Sequence, residues 1–150
     1  MKSGSILIVL LSLLALPAVA ADKVRITSDT FVVSEADHQA VFSGNVVVIH
    51  PSVTVHSDKV VAVYGAGGTT DIESFIATGH VRLTTPEQDA TGEKAVFTPA
   101  DQLLRLTGDV VVVNSSGTVN SSELVVNLET NVSTFTSNGG GRVTGVFTSQ

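Results

Sequence analysis

The sequence predicts an all-β protein built as a stack of short antiparallel strands. Two interleaved repeats and the absence of any helical period carry that prediction. The stretch Ile26-Thr27-Ser28-Asp29-Thr30-Phe31-Val32-Val33 returns as Val55-His56-Ser57-Asp58-Lys59-Val60-Val61-Ala62. It returns again as Ala90-Thr91-Gly92-Glu93-Lys94-Ala95-Val96-Phe97 and as Val119-Asn120-Ser121-Ser122-Glu123-Leu124-Val125-Val126. The small residues Ser28, Ser57, Gly92 and Ser121 are spaced by 29, 35 and 29. Between these copies a second repeat centres on a glycine: 40–48 around Gly44, 75–83 around Gly79 and 104–112 around Gly108, spaced by 35 and then 29. A fixed period of this size is the signature of stacked supersecondary units. Both repeats carry the same six-residue surplus, which falls in the Gly-rich segment 65–71 and reads as a loop.

Taken in order, the chain opens with Lys2, an apolar run from Ile6 to Leu16, and Pro17-Ala18-Val19-Ala20-Ala21. A basic start, a short apolar core and a small-residue cleavage site make a secretory leader. The run is shorter than the roughly 20 residues of a comfortable membrane span. The expectation is a signal peptide over 1–20, cleaved after Ala20 or Ala21, followed by one domain over 22–148. Strands are expected near 23–28, 30–34, 38–43, 45–50, 52–57 and 59–64. Beyond the loop they continue at 72–77, 79–84, 88–92, 94–98, 102–107, 109–114, 117–121, 123–128, 132–137 and 142–147, about sixteen in all. Pro51, Pro86 and Pro99 fall at turns, where a missing N–H costs no ladder bond.

Side chains two apart on a strand share a face. In the glycine repeat the positions two and four away are Ala40, Phe42, Val46, Val48; Phe75, Ala77, Val81, Leu83; and Leu104, Leu106, Val110, Val112, all apolar. Between them stand Ser43, Asn45, Thr78, His80, Arg82, Arg105, Thr107 and Asp109. The other repeat puts Phe31, Val33, Val60, Ala62, Ala95, Phe97, Leu124 and Val126 on the same apolar side. One face is thus expected to be continuously apolar and the other mostly wet. The recurring glycine suits a sharp corner, and the acidic or hydroxyl residue suits a bond to backbone N–H at the opposite corner.

Such strands cannot bury one apolar face alone, so successive rungs must curl round and face one another. Either the two inner faces fill each other as a sandwich core, or they stand apart around something apolar. Six Phe, one Tyr and no Trp, with mostly Val and Ala inside, favour the open trough. So do the termini: Val24-Arg25-Ile26 and Arg142-Val143-Thr144-Gly145-Val146-Phe147 carry no proline or strong charge to blunt an edge. Unprotected edges are templates for another chain to add strands.

Several chemistries find no support. The formal net charge of -6 and the lack of any Lys/Arg cluster argue against nucleic acid. With no cysteine, an exported chain must hold together without disulfides. His50 and His56 flank a Pro turn, but no third metal ligand is placed beside them, and His38 and His80 stand elsewhere. Glu87, Asp89 and Glu93 read as a solvated turn rather than an acid/base pair, and no nucleophile, zinc or phosphate-loop motif occurs. The chain reads as a binding protein without cofactor, not an enzyme.

The segment 40–46, the copies of the Ser-Asp repeat and the closing 141–147 together resemble the LptA/OstA-like periplasmic lipopolysaccharide transport proteins, over roughly 22–148. The resemblance implies an elongated, slightly twisted β-jelly roll of about sixteen antiparallel strands in the periplasm. It implies lipid A acyl chains of lipopolysaccharide held inside the roll. It further implies head-to-tail self-association through the terminal strands into a bridge from an inner-membrane anchored component to an outer-membrane barrel. On that reading the trough is lined by Phe31, Val33, Phe42, Val46, Val48, Val60, Phe75, Val81, Leu83, Phe97, Leu106, Val110, Val112, Leu124 and Val126. The stacking interface is Val24, Arg25, Ile26, Arg142, Val143, Thr144, Val146 and Phe147. The alternatives are an exported β-solenoid scaffold with a filled core, and a membrane-anchored relative of the same transport system.

Overall fold

The computed structural model describes residues 23–149, so the leader expected over 1–20 lies outside the described residues. Ten strands follow one another: β1 (Arg25–Thr27), β2 (Thr30–Ser34), β3 (Gln39–His50), β4 (Val53–Tyr64), β5 (Ile72–Thr84), β6 (Gln88–Thr98), β7 (Leu103–Asn114), β8 (Gly117–Asn127), β9 (Val132–Thr136) and β10 (Thr144–Phe147). A 3-10 turn at Gly68–Thr70 occupies the loop that carries the six-residue surplus. Among the described residues no helix is long and apolar enough to cross a membrane.

All strands belong to one antiparallel sheet in the order β1-β3-β4-β5-β6-β7-β8-β10, with β2 also on β3 and β9 also on β8. The expected sixteen strands become ten because six pairs of expected segments are each one long strand, bent in the middle. The bend has a specific cause. At Gly44-Asn45, Gly79-His80 and Gly108-Asp109 the glycine takes φ of 86°, 80° and 87°, and its successor 46°, 49° and 46°. Two consecutive left-handed residues then oppose one residue of the next strand, and the register slips between Ser43 and Val46, Thr78 and Val81, and Thr107 and Val110. This is a bulge, which bends a strand without ending it. Asn, Asp and His are the non-glycine residues that best tolerate the left-handed region.

The two sequence repeats interlock at this corner. A Cβ placed on Gly44 would sit 2.5 Å from a carboxylate oxygen of Asp29, and on Gly79 2.5 Å from one of Asp58. On Gly108 it would sit 2.6 Å from one of Glu93. The acid of one strand therefore packs where the glycine of the following strand has no side chain. In three of the four copies the small residue is a serine that donates to the carbonyl two residues on, Ser28 to Thr30 at 2.8 Å, Ser57 to Lys59 at 3.2 Å and Ser121 to Glu123 at 3.1 Å. The bond to a backbone N–H expected of the residue after it is made at the fourth copy, where the Ser122 hydroxyl accepts from the Asn138 N–H at 3.2 Å.

The bent strands fold the sheet into two facing layers. The first holds β1, the second halves of β3, β5 and β7, the first halves of β4, β6 and β8, and β10. The second holds β2, the complementary halves and β9. Both contribute to a single apolar core, Val46, Val48, Val55, Val81 and Val110 from the first against Val60, Ala77, Leu104, Leu106 and Leu124 from the second. This is the jelly roll that the sequence resemblance implies.

The outer face departs from the expected wet surface. Val32, Val41, Val61, Ile76 and Val96 are paired in register across five neighbouring strands on the outside of the second layer. Arg105, ion-paired to Glu123 at 2.8 Å, interrupts the row before Val125. β-Branched residues pair well across strands on either face of a sheet, so alternation alone overstates how polar the outside is.

Candidate functional site

The site is the interior between the layers. Its walls come from the residues two and four positions away from each corner glycine, because a strand turns alternate side chains to the same face. Of the fifteen expected lining residues, Val46, Val48, Val60, Val81, Leu83, Leu106, Val110, Val112 and Leu124 are buried there. Phe42, Phe75, Phe97 and Val126 are half-buried and pack against the same core. Phe31 and Val33 are 56% and 44% exposed. They lie on β2, the last strand of its layer among the described residues, where no further described strand covers them; Phe31 stacks on Phe42 at 4.5 Å.

The interior also uses Val53, Val55, Ala77, Ala95 and Leu104. Ala77 and Leu104 occupied apolar positions of the glycine repeat, and Ala95 one of the other repeat, so the signal was present in the pattern. Small side chains are easily passed over as walls. His50, only 9% exposed, is another interior residue. It follows Val46 and Val48 at the inward spacing of β3, while the exposed His56 points out of the same layer. The two histidines therefore do not converge, and the described residues hold no group of three His, Cys, Asp or Glu suited to a metal.

The layers lie close. An apolar gap between them measures about 40 Å³ and is walled by Val48, Val55, Val60, Phe75, Ala95 and Leu104, among others. A second gap of about 20 Å³ lies beside Leu83, Ala90, Leu124 and Val126. A gap of about 10–15 Å³ measured this way admits one water molecule, so these two have room for a few waters and not for an acyl chain in this state. Along the side away from the corner glycines the layers meet only through side chains. There His50 of the first layer meets Phe97 of the second edge to face, with centroids 5.7 Å apart, and Phe97 stacks on Phe75 at 6.3 Å. Outside this seam lies an open cleft of about 310 Å³ between Val24, Ile72, Pro99 and Gln102.

Charge is kept off the walls. Arg82 donates to Asp89 at 3.1 Å on the outside of the first layer. Asp89 Oδ1 is buried without a full hydrogen bond, yet the neighbouring Thr84 hydroxyl and then the Arg82 guanidinium hold the carboxyl below the usual carboxylate range. At the corner His80 Nδ1 lies 2.8 Å from Asp58 Oδ2, and that hydrogen bond and charge raise the imidazole above its ordinary value.

The terminal strands named as an interface sit at the two ends of the roll. β1 pairs only with β3, and β10 only with β8. Val24 and Ile26 pack against the core, whereas Val143, Val146 and Phe147 are exposed, as are Arg25, Arg142 and Thr144. Each of these strands therefore has an unpaired edge among the described residues.

The chain matches the family described as LptA/(LptD N-terminal domain) LPS transport protein over residues 25–132. An uncharacterised protein of Rhizobium meliloti (strain 1021), R00383, is 28% identical over 102 residues, which are 64% of this chain and 55% of that protein. The chain thus spans about half the length of the curated relative it matches. Among solved structures, LptH of Pseudomonas aeruginosa superposes with a TM-score of 0.70 over 85% of this chain and 96% of that one, at 16% identity. That protein is described as the LptA-homologous periplasmic component of a lipopolysaccharide transport device. At that identity the likeness concerns the fold.

Proposed function

The chain belongs to the LptA/LptD N-terminal-domain family of LPS transport proteins, and from that premise we propose that it shelters the acyl chains of lipopolysaccharide between its two layers. The observation that carries the proposal is an apolar interior continuous along the roll and closed on one side only by side chains. Opening that side separates apolar surfaces but breaks no backbone ladder bond. The layers part at the seam, and a chain of methylenes replaces the contacts they lose.

Energetics favour such a carrier. Burying a CH₂ is worth about 0.8 kcal/mol, so a chain of about a dozen methylenes resists water by ~10 kcal/mol. Val, Ala and Leu walls offer no directional bond, so a lipid slides along them instead of being caught. On this proposal the leader directs the domain to the periplasm, where β1 and β10 of successive copies add to one another's edges. The row of copies then joins an inner-membrane anchored component to an outer-membrane barrel. The small volume between the layers favours a second reading, a filled-core scaffold, and the two differ in one experiment.

A photo-crosslinking residue at Val81, on the wall, is compared with one at Arg82, on the outside, in cells making lipopolysaccharide. The expected result is a lipopolysaccharide adduct from position 81 alone. Equal adducts from both positions overturn the assignment of the walls, and silence at both in folded protein supports the filled core.

A further inference from the structure

We propose that His50 reads the polar end of the lipid: its Nε2–H donates to an acceptor oxygen at the head of an acyl chain that passes from the outer cleft into the interior. The proposal rests on the lipid-carrying reading and adds to it a residue that fixes where the chain stops. The backbone N–H of Ser52 donates to His50 Nδ1 at 3.1 Å. A backbone N–H only donates, so Nδ1 is the acceptor and the neutral ring carries its proton on Nε2. Among the described residues Nε2 makes no hydrogen bond, and although the residue is largely buried the atom itself is not sealed from solvent. A donor left free at the mouth of an apolar wall can exchange water for a ligand's acceptor oxygen.

Position gives that donor its meaning. The imidazole stands between two spaces, the apolar gap inside and the open cleft outside, and borders both. Inside, the neighbours are Val48, Val53, Val55 and Val60. Outside, the other polar side chain of the described lining is Gln102, whose Nε2 is already bound to Pro99 O at 2.8 Å. A ligand that matches this sequence of surfaces is apolar on the inner side of His50 and presents an oxygen beside it. Acyl esters, acyl amides and alkyl phosphates share that chemistry; a plain hydrocarbon lacks it. The His50–Phe97 edge contact must part for the chain to pass, so the group that guards the seam is also the group that tests the head.

The test uses the mature protein and three pyrene-labelled probes of equal chain length, a hydrocarbon, a methyl ester and an alkyl phosphate, read by fluorescence titration. Wild-type protein is expected to prefer the oxygen-bearing probes. His50→Phe keeps a ring against Phe97 but removes the donor. It is expected to weaken those probes by about 3- to 10-fold, the worth of one hydrogen bond, with the hydrocarbon unchanged. His50→Gln, which restores an N–H donor, is expected to recover the preference even if the Phe variant folds poorly. A greater His50-dependent loss for the phosphate than the ester assigns the oxygen to a phosphate, and the reverse assigns it to a carbonyl. Equal loss for all three probes, or none for any, overturns the role of His50 and leaves the lipid-carrying reading intact. If wild-type protein binds none of the probes, the lipid-carrying reading falls, and His50 falls with it.

Discussion

Gly79→Ala tests the interlocked corner. Two costs combine at this position. Gly79 has φ +80°, where an L-residue pays about 1–2 kcal/mol. The new methyl would also lie 2.9 Å from Cβ of Asp58 and 2.5 Å from its Oδ2. Cβ is fixed to the backbone, so no rotamer of Asp58 relieves the first contact, and β4 and β5 must move apart. Overpacking of this kind costs about 1–3 kcal/mol. Gly68 provides the control, with φ +79° and nothing within 4 Å of the added Cβ. In urea unfolding, Gly68→Ala is expected to lose about 1–2 kcal/mol, the conformational cost alone. Gly79→Ala is expected to lose about 2–5 kcal/mol, the sum of both. A double-mutant cycle with Asp58→Gly isolates the contact, and the coupling is expected to be about 1–3 kcal/mol. Equal losses at Gly68 and Gly79, or a coupling near zero, refute the claim that the acid and the glycine share one space.

Two further outcomes follow from the geometry. Leu106 has no exposed surface, so Leu106→Ala is expected to cost about 2–5 kcal/mol in chemical denaturation; a loss below about 1 kcal/mol would contradict the close packing of the layers. The imidazole of His80, raised by Asp58, is expected to titrate above the ordinary histidine value in NMR. A group raised on folding stabilises fully below its unfolded value near 6.5, and the benefit fades as pH rises through the folded value. Asp58→Asn is expected to return His80 toward its ordinary range, and an unmoved midpoint would show that Asp58 is not the cause.

Much of this was legible before any coordinates, and the gaps have physical reasons. The corner glycines, the inward set from Val46 to Leu124 and the two terminal edges follow from period-two alternation and from a repeat that marks its own phase. Strand number did not follow, because a glycine pair at positive φ looks the same in sequence whether it ends a strand or bends it. Only the partner across the ladder decides, and at Gly44-Asn45 that partner is one residue, Asp58. The outer row from Val32 to Val96 was hidden by the polar residues at the corner, which dominate the alternation nearest each glycine. His50 was hidden by its type: beside Pro51 it reads as a turn residue or a ligand, while its register on β3 puts it inside. How closely the layers approach depends on the angle at the bulges, which no residue pattern states.

The pairing of an acid-bearing strand with a glycine-bearing one restricts how a roll of this kind can change in length. Glycine strands β3, β5 and β7 alternate with acid strands β4 and β6. Removing one strand would set glycine against glycine, or acid against acid, and would reverse the direction of every later strand. Removing two restores both the pairing and the direction. Growth and loss are therefore quantised in hairpins of 29 to 35 residues, each adding about 9.5 Å at the spacing of neighbouring strands. Among the described strands backbone pairing runs only between ladder neighbours, so such a step leaves the pairing of the end strands in place. Side chains that meet across the layers, as His50 meets Phe97, change partners. A roll built this way can change its length by counting hairpins, without redesigning its two terminal strands.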